Sequence, residues 1–299
     1  MKKRNKLLLT LFALGSITLS GCYFKLGPIE LGKKIEEPQN TEGNNQNGNE
    51  GSNNGGNGGN TTPTPYTGDY YVSIDASMSG ADLLSALHTV VNSGTLSFSY
   101  DWSRFEAADE DPENSSNVIM IYARTSVKKS AHVSGSKGWN REHTFPDSKM
   151  SNANADDDNH IIYASDCKVN SARSNIKMGV VTSGSTIEDS YGNATTCKKT
   201  SNLFDPNNVA RGIVARSTMY AAAMYGYDVL DNFESYETLI NWHLEYTVSS
   251  FDMGRNDKVF ALQKNRNPFV DHPEYACKIW GNKSSATRTA CQNANYSVD

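Results

Sequence analysis

Glu142 and His143 are adjacent, and Asn170 follows Glu142 by 28 residues. Histidine is the side chain whose ordinary pKa suits removing a proton from water near neutrality. One carboxylate with one neutral amide oxygen suits a hard divalent ion. Mg²⁺ fits best, because it takes few protein oxygens and keeps several waters; Ca²⁺ and Mn²⁺ are alternatives. Such a set could deprotonate an attacking water and neutralise charge on a phosphodiester and its leaving oxygen. Neighbouring side chains on a strand point to opposite sides. Glu142 could therefore hold the ion while His143 addresses the water from another direction. Taken singly, each residue is ordinary: Glu-His pairs arise by chance, and a helical Asn usually lies at a surface or cap. Order and spacing carry the signal.

The elements that must position these residues can be read around them. A stretch from Trp139 through Asn-Arg-Glu-His to Ser148 is followed by a short polar, acidic loop. Asp158 to Ser165 then has strand character, and Cys167 to Asn175 reads as a helix. Strand, loop, strand and helix in succession form a small hairpin-plus-helix unit. Elsewhere, Ala81 to Val91 has apolar residues at helical spacing with Asn92-Ser-Gly94 as a stop. Asn117 to Ala123 reads as a buried strand. Glu106 to Glu113 is an acidic run that reads as a solvated loop. Asp205-Pro206 reads as the cap and first turn of a helix that Gly226 ends. Helices are also expected at Tyr236 to Tyr246 and at Lys258 to Lys264. Strands are few and short, so the expected class is α+β with helices in the majority. His160, in an apolar strand, is expected to stabilise the fold.

With these motifs assembled, Gly138 to Gly179 resembles the core of the bacterial endonuclease I and extracellular nuclease family, in the ββα-metal nuclease superfamily. The resemblance rests on Asn140-Arg-Glu-His-Thr-Phe-Pro146, on Asp158-x-His160 through Val169-Asn170 to Arg173-Ser-Asn175, and on Ala210-Arg-Gly-Ile-Val-Ala-Arg216. Asn241-Trp-His243 and Gln263 to Asp271 add to it, so the likeness spans roughly 70–276. It implies a mostly helical single domain built on a ββα-metal core. It also implies metal-dependent endonuclease activity with 5′-phosphate products on DNA or RNA. By the same likeness His143 would be the general base, and Glu142 and Asn170 would ligate one Mg²⁺ or Ca²⁺. Asn175 is a weaker ligand candidate. Arg141, Arg173 and Arg216 could contact phosphates; buried ion pairs that hold the fold are the other reading for Arg173 and Arg216. One departure is evident. No arginine lies between His143 and Asp158, where several relatives carry one near the scissile phosphate.

Formal net charge over the 299 residues is −5, which argues mildly against a polyanionic substrate. Distribution answers this. Asn114 to Arg141 contains Arg124, Lys128, Lys129, Lys137 and Arg141 with no carboxylate, and Lys168, Arg173 and Lys177 follow. A basic strip can steer phosphate backbones within an acidic protein. No base-reading module is visible, so little sequence preference is expected. An RNA-selective nuclease and a lipoprotein that binds nucleic acid without cleaving it remain open alternatives.

The N-terminal residues speak to the compartment. Met1 to Lys6 is basic, Leu7 to Thr18 is a short apolar run, and Leu19-Ser20-Gly21-Cys22 resembles a bacterial lipobox. Residues 1–21 are expected to be a signal peptide, with Cys22 lipidated to hold the protein at a membrane, facing outside the cytoplasm. An Asn/Gly-rich linker would run to residue 68, and a monomeric domain would occupy 69–299. The remaining cysteines, Cys167, Cys197, Cys277 and Cys291, fit an oxidising compartment. Short loops favour pairing Cys277 with Cys291 and Cys167 with Cys197, free thiols being the alternative.

Overall fold

The computed structural model describes residues 66–133 and 136–299. The expected signal peptide, the lipidation site Cys22 and nearly all of the linker lie outside the described residues. In chain order the elements begin with α1 (Gly80–Val91), α2 (Trp102–Ala108), β1 (Glu110–Asp111), β2 (Asn114–Ile119) and β3 (Ser126–Lys128). Next come β4 (Trp139–His143), β5 (Ile162–Asp166), α3 (Cys167–Arg173), β6 (Lys177–Met178), β7 (Ser185–Glu188), β8 (Ala194–Lys199) and β9 (Leu203–Asp205). The C-terminal part is helical: α4 (Asn208–Tyr225), α5 (Tyr236–Glu245), α6 (Ser250–Gln263), α7 (Pro268–Asp271), α8 (Glu274–Trp280) and α9 (Ser285–Asn293).

This is the α+β class expected, with strands gathered into three small sheets: β1-β2-β3, the antiparallel pair β4-β5, and β6-β9-β8-β7. The core gathers on α4, which is buried almost all round and contributes Ile213, Val214, Ala215 and Met219 to the main apolar cluster. A helix covered on nearly every side is central. It ends where expected, at Gly226 in the left-handed region with φ 72°. A smaller cluster of Val118, Met120, Val127, Trp139 and Ala164 underlies the β4-β5 pair.

Several expectations need correction. The cap of α4 is Asn207, whose side chain accepts from the Ala210 N–H. Asp205 instead ends β9, and its carboxylate takes the Arg211 guanidinium and the Val181 N–H. The acidic run Glu106 to Glu113 is not a solvated loop. It spans the end of α2 and β1, and Asp109 is buried, accepting from Arg255 Nε at 2.6 Å and from the Ala164 N–H at 2.6 Å. The strand expected over Asn117 to Ala123 stops at Ile119; Met120, Ile121 and Tyr122 stay buried as a turn. The helix expected at Lys258 to Lys264 is the end of the longer α6, which a Ser249–Asp252 capping box starts.

Of the expected disulfides, Cys277–Cys291 is formed and Cys167–Cys197 is not. Cys167 opens α3, whereas Cys197 sits on β8 and its thiol donates to the Tyr122 carbonyl at 3.4 Å. Burial pushes both thiols up to about 11.

Candidate active site on strand β4

Gly138 turns the chain into β4 with φ 103°; a Cβ there would come within 2.3 Å of the Ala131 carbonyl. From that point alternate residues face opposite ways. Asn140 and Glu142 meet α3, which follows β5 directly. Trp139, Arg141 and His143 meet the segment that leads into α2.

The α3 face is closed. Asn170 and Arg173, one helical turn apart, match Asn140 and Glu142, one pleat apart. Asn170 Nδ2 donates to Asn140 Oδ1 at 2.9 Å and to the Arg141 carbonyl at 3.1 Å. Glu142 is 2% exposed. Its Oε1 accepts from the Tyr122 hydroxyl at 2.8 Å and lies 3.5 Å from Arg173 Nε. Burial pushes the Glu142 carboxyl up to about 7, although Arg173 and the Tyr122 hydroxyl pull the other way. Arg173 Nη2 donates to the Thr144 carbonyl and to Asn232 Oδ1, and Nη1 donates to the Ser174 carbonyl.

Such a face can be tested for a cation. Asn170 has its amide nitrogen pinned, so its oxygen is free of protein partners among the described residues, as is Glu142 Oε2. One carboxylate oxygen and one amide oxygen make a hard, oxygen-only donor pair. The partner supplied by Arg173 does not fully offset the desolvation of Glu142. Both facts fit a divalent ion that keeps most of its waters. Among the described residues no group of three His, Cys, Asp or Glu side chains is placed to hold a metal, so a site rich in carboxylates or thiolates is not on offer.

The other face is open. His143 is half-buried, and its Nε2 lies 3.1 Å from the Asp156 carbonyl. A carbonyl only accepts, so Nε2 carries the proton and Nδ1 keeps its lone pair. The ring stacks on Tyr100, with planes 14° apart. Arg141 donates from Nη1 to the Tyr100 carbonyl at 2.8 Å. Asp147, Asp156 and Asp157 fringe this side; the Asp156 carboxyl is pushed up by burial and by its neighbour Asp147.

The structure thus gathers Glu142, His143, Asn170, Arg141 and Arg173, and leaves Arg216 apart. Arg216 is buried with Nη1 on the Tyr246 carbonyl and Nη2 on Asp252 at 3.1 Å. Arg173 and Arg216 are each 2% exposed. Both are held in buried ion pairs, which matches the fold-holding reading of these two and not direct phosphate contact. Asn175 is exposed and donates to Ser148 Oγ at 3.4 Å. His160 is buried on the Asn265 carbonyl, and burial drives its pKa to about 3. In the basic strip, Lys129 pairs with Glu110 and Lys168 with Glu188, while Lys128, Lys137 and Lys177 are exposed. Sequence reasoning missed Tyr122, Tyr100 and Asn232. No spacing rule points to them; each meets its partner across 20 or more residues of chain.

Comparison with known proteins adds an independent line. The family model described as Endonuclease I matches residues 79–274. An extracellular ribonuclease of Bacillus amyloliquefaciens is 34% identical over 239 residues, which cover 73% of this chain and 80% of that protein. An extracellular ribonuclease of Bacillus subtilis (strain 168) is 31% identical over 238 residues, 72% of this chain and 80% of that protein.

Proposed function

The chain belongs to the endonuclease I family, and we propose that it is an exported, metal-dependent endonuclease cutting RNA and DNA with little sequence preference. The observation that carries the reading is the division of β4. A buried carboxylate with a free oxygen backs onto a half-open histidine whose Nδ1 lone pair is available.

In this reading His143 Nδ1 takes a proton from a water as the water oxygen bonds to phosphorus. The bond to the 3′ oxygen breaks, and that oxygen takes a proton from solvent, leaving a 5′-phosphate on the other fragment. The Asp156 carbonyl holds Nε2–H and thereby fixes the base tautomer. Glu142 Oε2 and the Asn170 amide oxygen would hold one divalent ion, Mg²⁺ first, which supplies charge neutralisation at the phosphate. Arg173 and Tyr122 keep Glu142 aimed and oppose its protonation. Exposed Lys128, Lys137 and Lys177 draw in the polyanion, and Arg141 is the arginine beside the base. The printed names of the two Bacillus relatives support RNA as a substrate and secretion as the route. Anchoring through Cys22 rests on the leader pattern alone.

The test is cleavage of supercoiled plasmid and of single-stranded RNA by the full chain, with Mg²⁺, Ca²⁺ or Mn²⁺ and with excess chelator. Cleavage of both that chelator stops is expected. Cleavage of RNA alone would support the RNA-selective reading. Binding without cleavage of either polymer would leave only a nucleic-acid-binding lipoprotein.

A further inference from the structure

Tyr100 lies in the irregular segment before α2, is 41% exposed, and belongs to none of the apolar clusters. Yet its ring is heavily used. It stacks on His143 at 6.0 Å between centroids. The Arg141 guanidinium lies over the same ring at 3.4 Å and over Trp102 at 4.1 Å. Trp102 stacks in turn on His132 at 4.2 Å, and His132 lies 3.7 Å from Glu106. These side chains form a column that begins at the base and ends at an acidic residue on α2.

Arg141 differs from the buried arginines. Arg173, Arg216, Arg255 and Arg266 each have a carboxylate at 3.5 Å or closer. Arg141 forms no ion pair among the described residues, and Asp157 acts on it only at longer range. A planar guanidinium held between aromatic faces is fixed in place without being neutralised. That is a preorganised anion site, two residues from His143 on the same face of β4. It also answers the missing loop arginine, since no arginine lies between His143 and Asp158.

We propose that Arg141 is the cation that meets the scissile phosphate, and that Tyr100 is a positioning residue whose ring holds Arg141 and His143 in fixed relation. One exposed ring then sets the distance between the base and the phosphate it serves. This inference rests on the nuclease reading above.

The experiment measures kcat and KM on RNA with saturating Mg²⁺ for the full chain and five variants, each checked for an unchanged fold by circular dichroism. Arg141→Ala should lower kcat by about 10²- to 10³-fold, the size of losing one transition-state donor. Added guanidinium salt, below denaturing levels, should recover part of that loss. Tyr100→Ala should lower kcat by about 10- to 100-fold, the size of a misplacement near 1 Å, and guanidinium should not help, because Arg141 is still present. Tyr100→Phe should restore most of the rate, and Arg141→Lys should not, because an ammonium cannot lie flat on the ring. Retention of kcat within twofold by Tyr100→Ala and Arg141→Ala would overturn the proposal, and so would full activity of Arg141→Lys. A loss in Arg141→Ala that guanidinium leaves untouched would assign the residue to packing alone. His143→Ala is the control: inactive wild type would sink the nuclease reading itself, and active His143→Ala would remove His143 from the base role, whereas the other outcomes leave both standing.

Discussion

The two faces of β4 are built by opposite means. Toward α3, Glu142 is buried and held by charge and hydrogen bonds: Tyr122, Arg173 and, through Arg173, Thr144 and Asn232. Toward α2, His143 and Arg141 are half-buried and held mainly by rings, with one carbonyl each. The difference follows from what each face does in the proposed reaction. A buried carboxylate must be partnered, because an isolated charge there is strongly disfavoured. A base and a phosphate cation must keep their lone pair or charge available, so neutral aromatic faces hold them without using it up. Ion pairing fixes one half of the site, and stacking fixes the other.

Breaking the open face should give the largest effect. His143→Ala is expected to lower kcat by about 10²- to 10⁴-fold with its fold unchanged, since it removes a general base; single-turnover cleavage beside a melting curve checks both parts. Breaking the closed face should hit stability instead. Arg173→Met leaves Glu142 buried without its cation, at a cost of about 3–5 kcal/mol, read by urea unfolding of the metal-free protein. Added Mg²⁺ should return part of that loss if Glu142 is a ligand. Tyr122→Phe sharpens the contrast, because only one donor to Glu142 is removed; a loss of about 1–3 kcal/mol is expected, and an unchanged urea midpoint would remove Tyr122 from this role.

Acid destabilisation should come from two buried histidines. His160 and His243 are buried, and burial lowers each to about 3. Their folded pKa lies below the unfolded value near 6.5, so their contribution is complete above that pH and declines as pH falls from about 6.5 toward 3. Each should account for about 1.4 kcal/mol per pH unit at most. Melting temperature against pH should fall on the acid side, and His160→Gln should flatten the slope; an identical slope would exclude His160.

The sequence made legible what repeats or sits close along the chain. The Glu-His pair, the helix carrying Asn170, the end of α4 at Gly226 and the Cys277–Cys291 bridge all depend on neighbours. What escaped depends on contacts across the fold. Asp109 reads as part of a soluble acidic run, yet Arg255, 146 residues later, makes it a buried tie between β5 and α6. Tyr122 reads as one more apolar strand residue, and only the turn after Ile119 aims its hydroxyl at Glu142. Asp205 looks like a helix cap until Arg211 claims its carboxylate. For Arg173 and Arg216, residue type alone could not choose between phosphate and buried carboxylate; depth chose.

The division of β4 is tested most directly by a Mg²⁺ titration of RNA cleavage by wild type, His143→Ala and Glu142→Gln, side by side. The account predicts that His143→Ala lowers the plateau and leaves the Mg²⁺ midpoint in place, while Glu142→Gln moves the midpoint to higher Mg²⁺. A midpoint that moves with His143 and stays fixed in Glu142→Gln would contradict it.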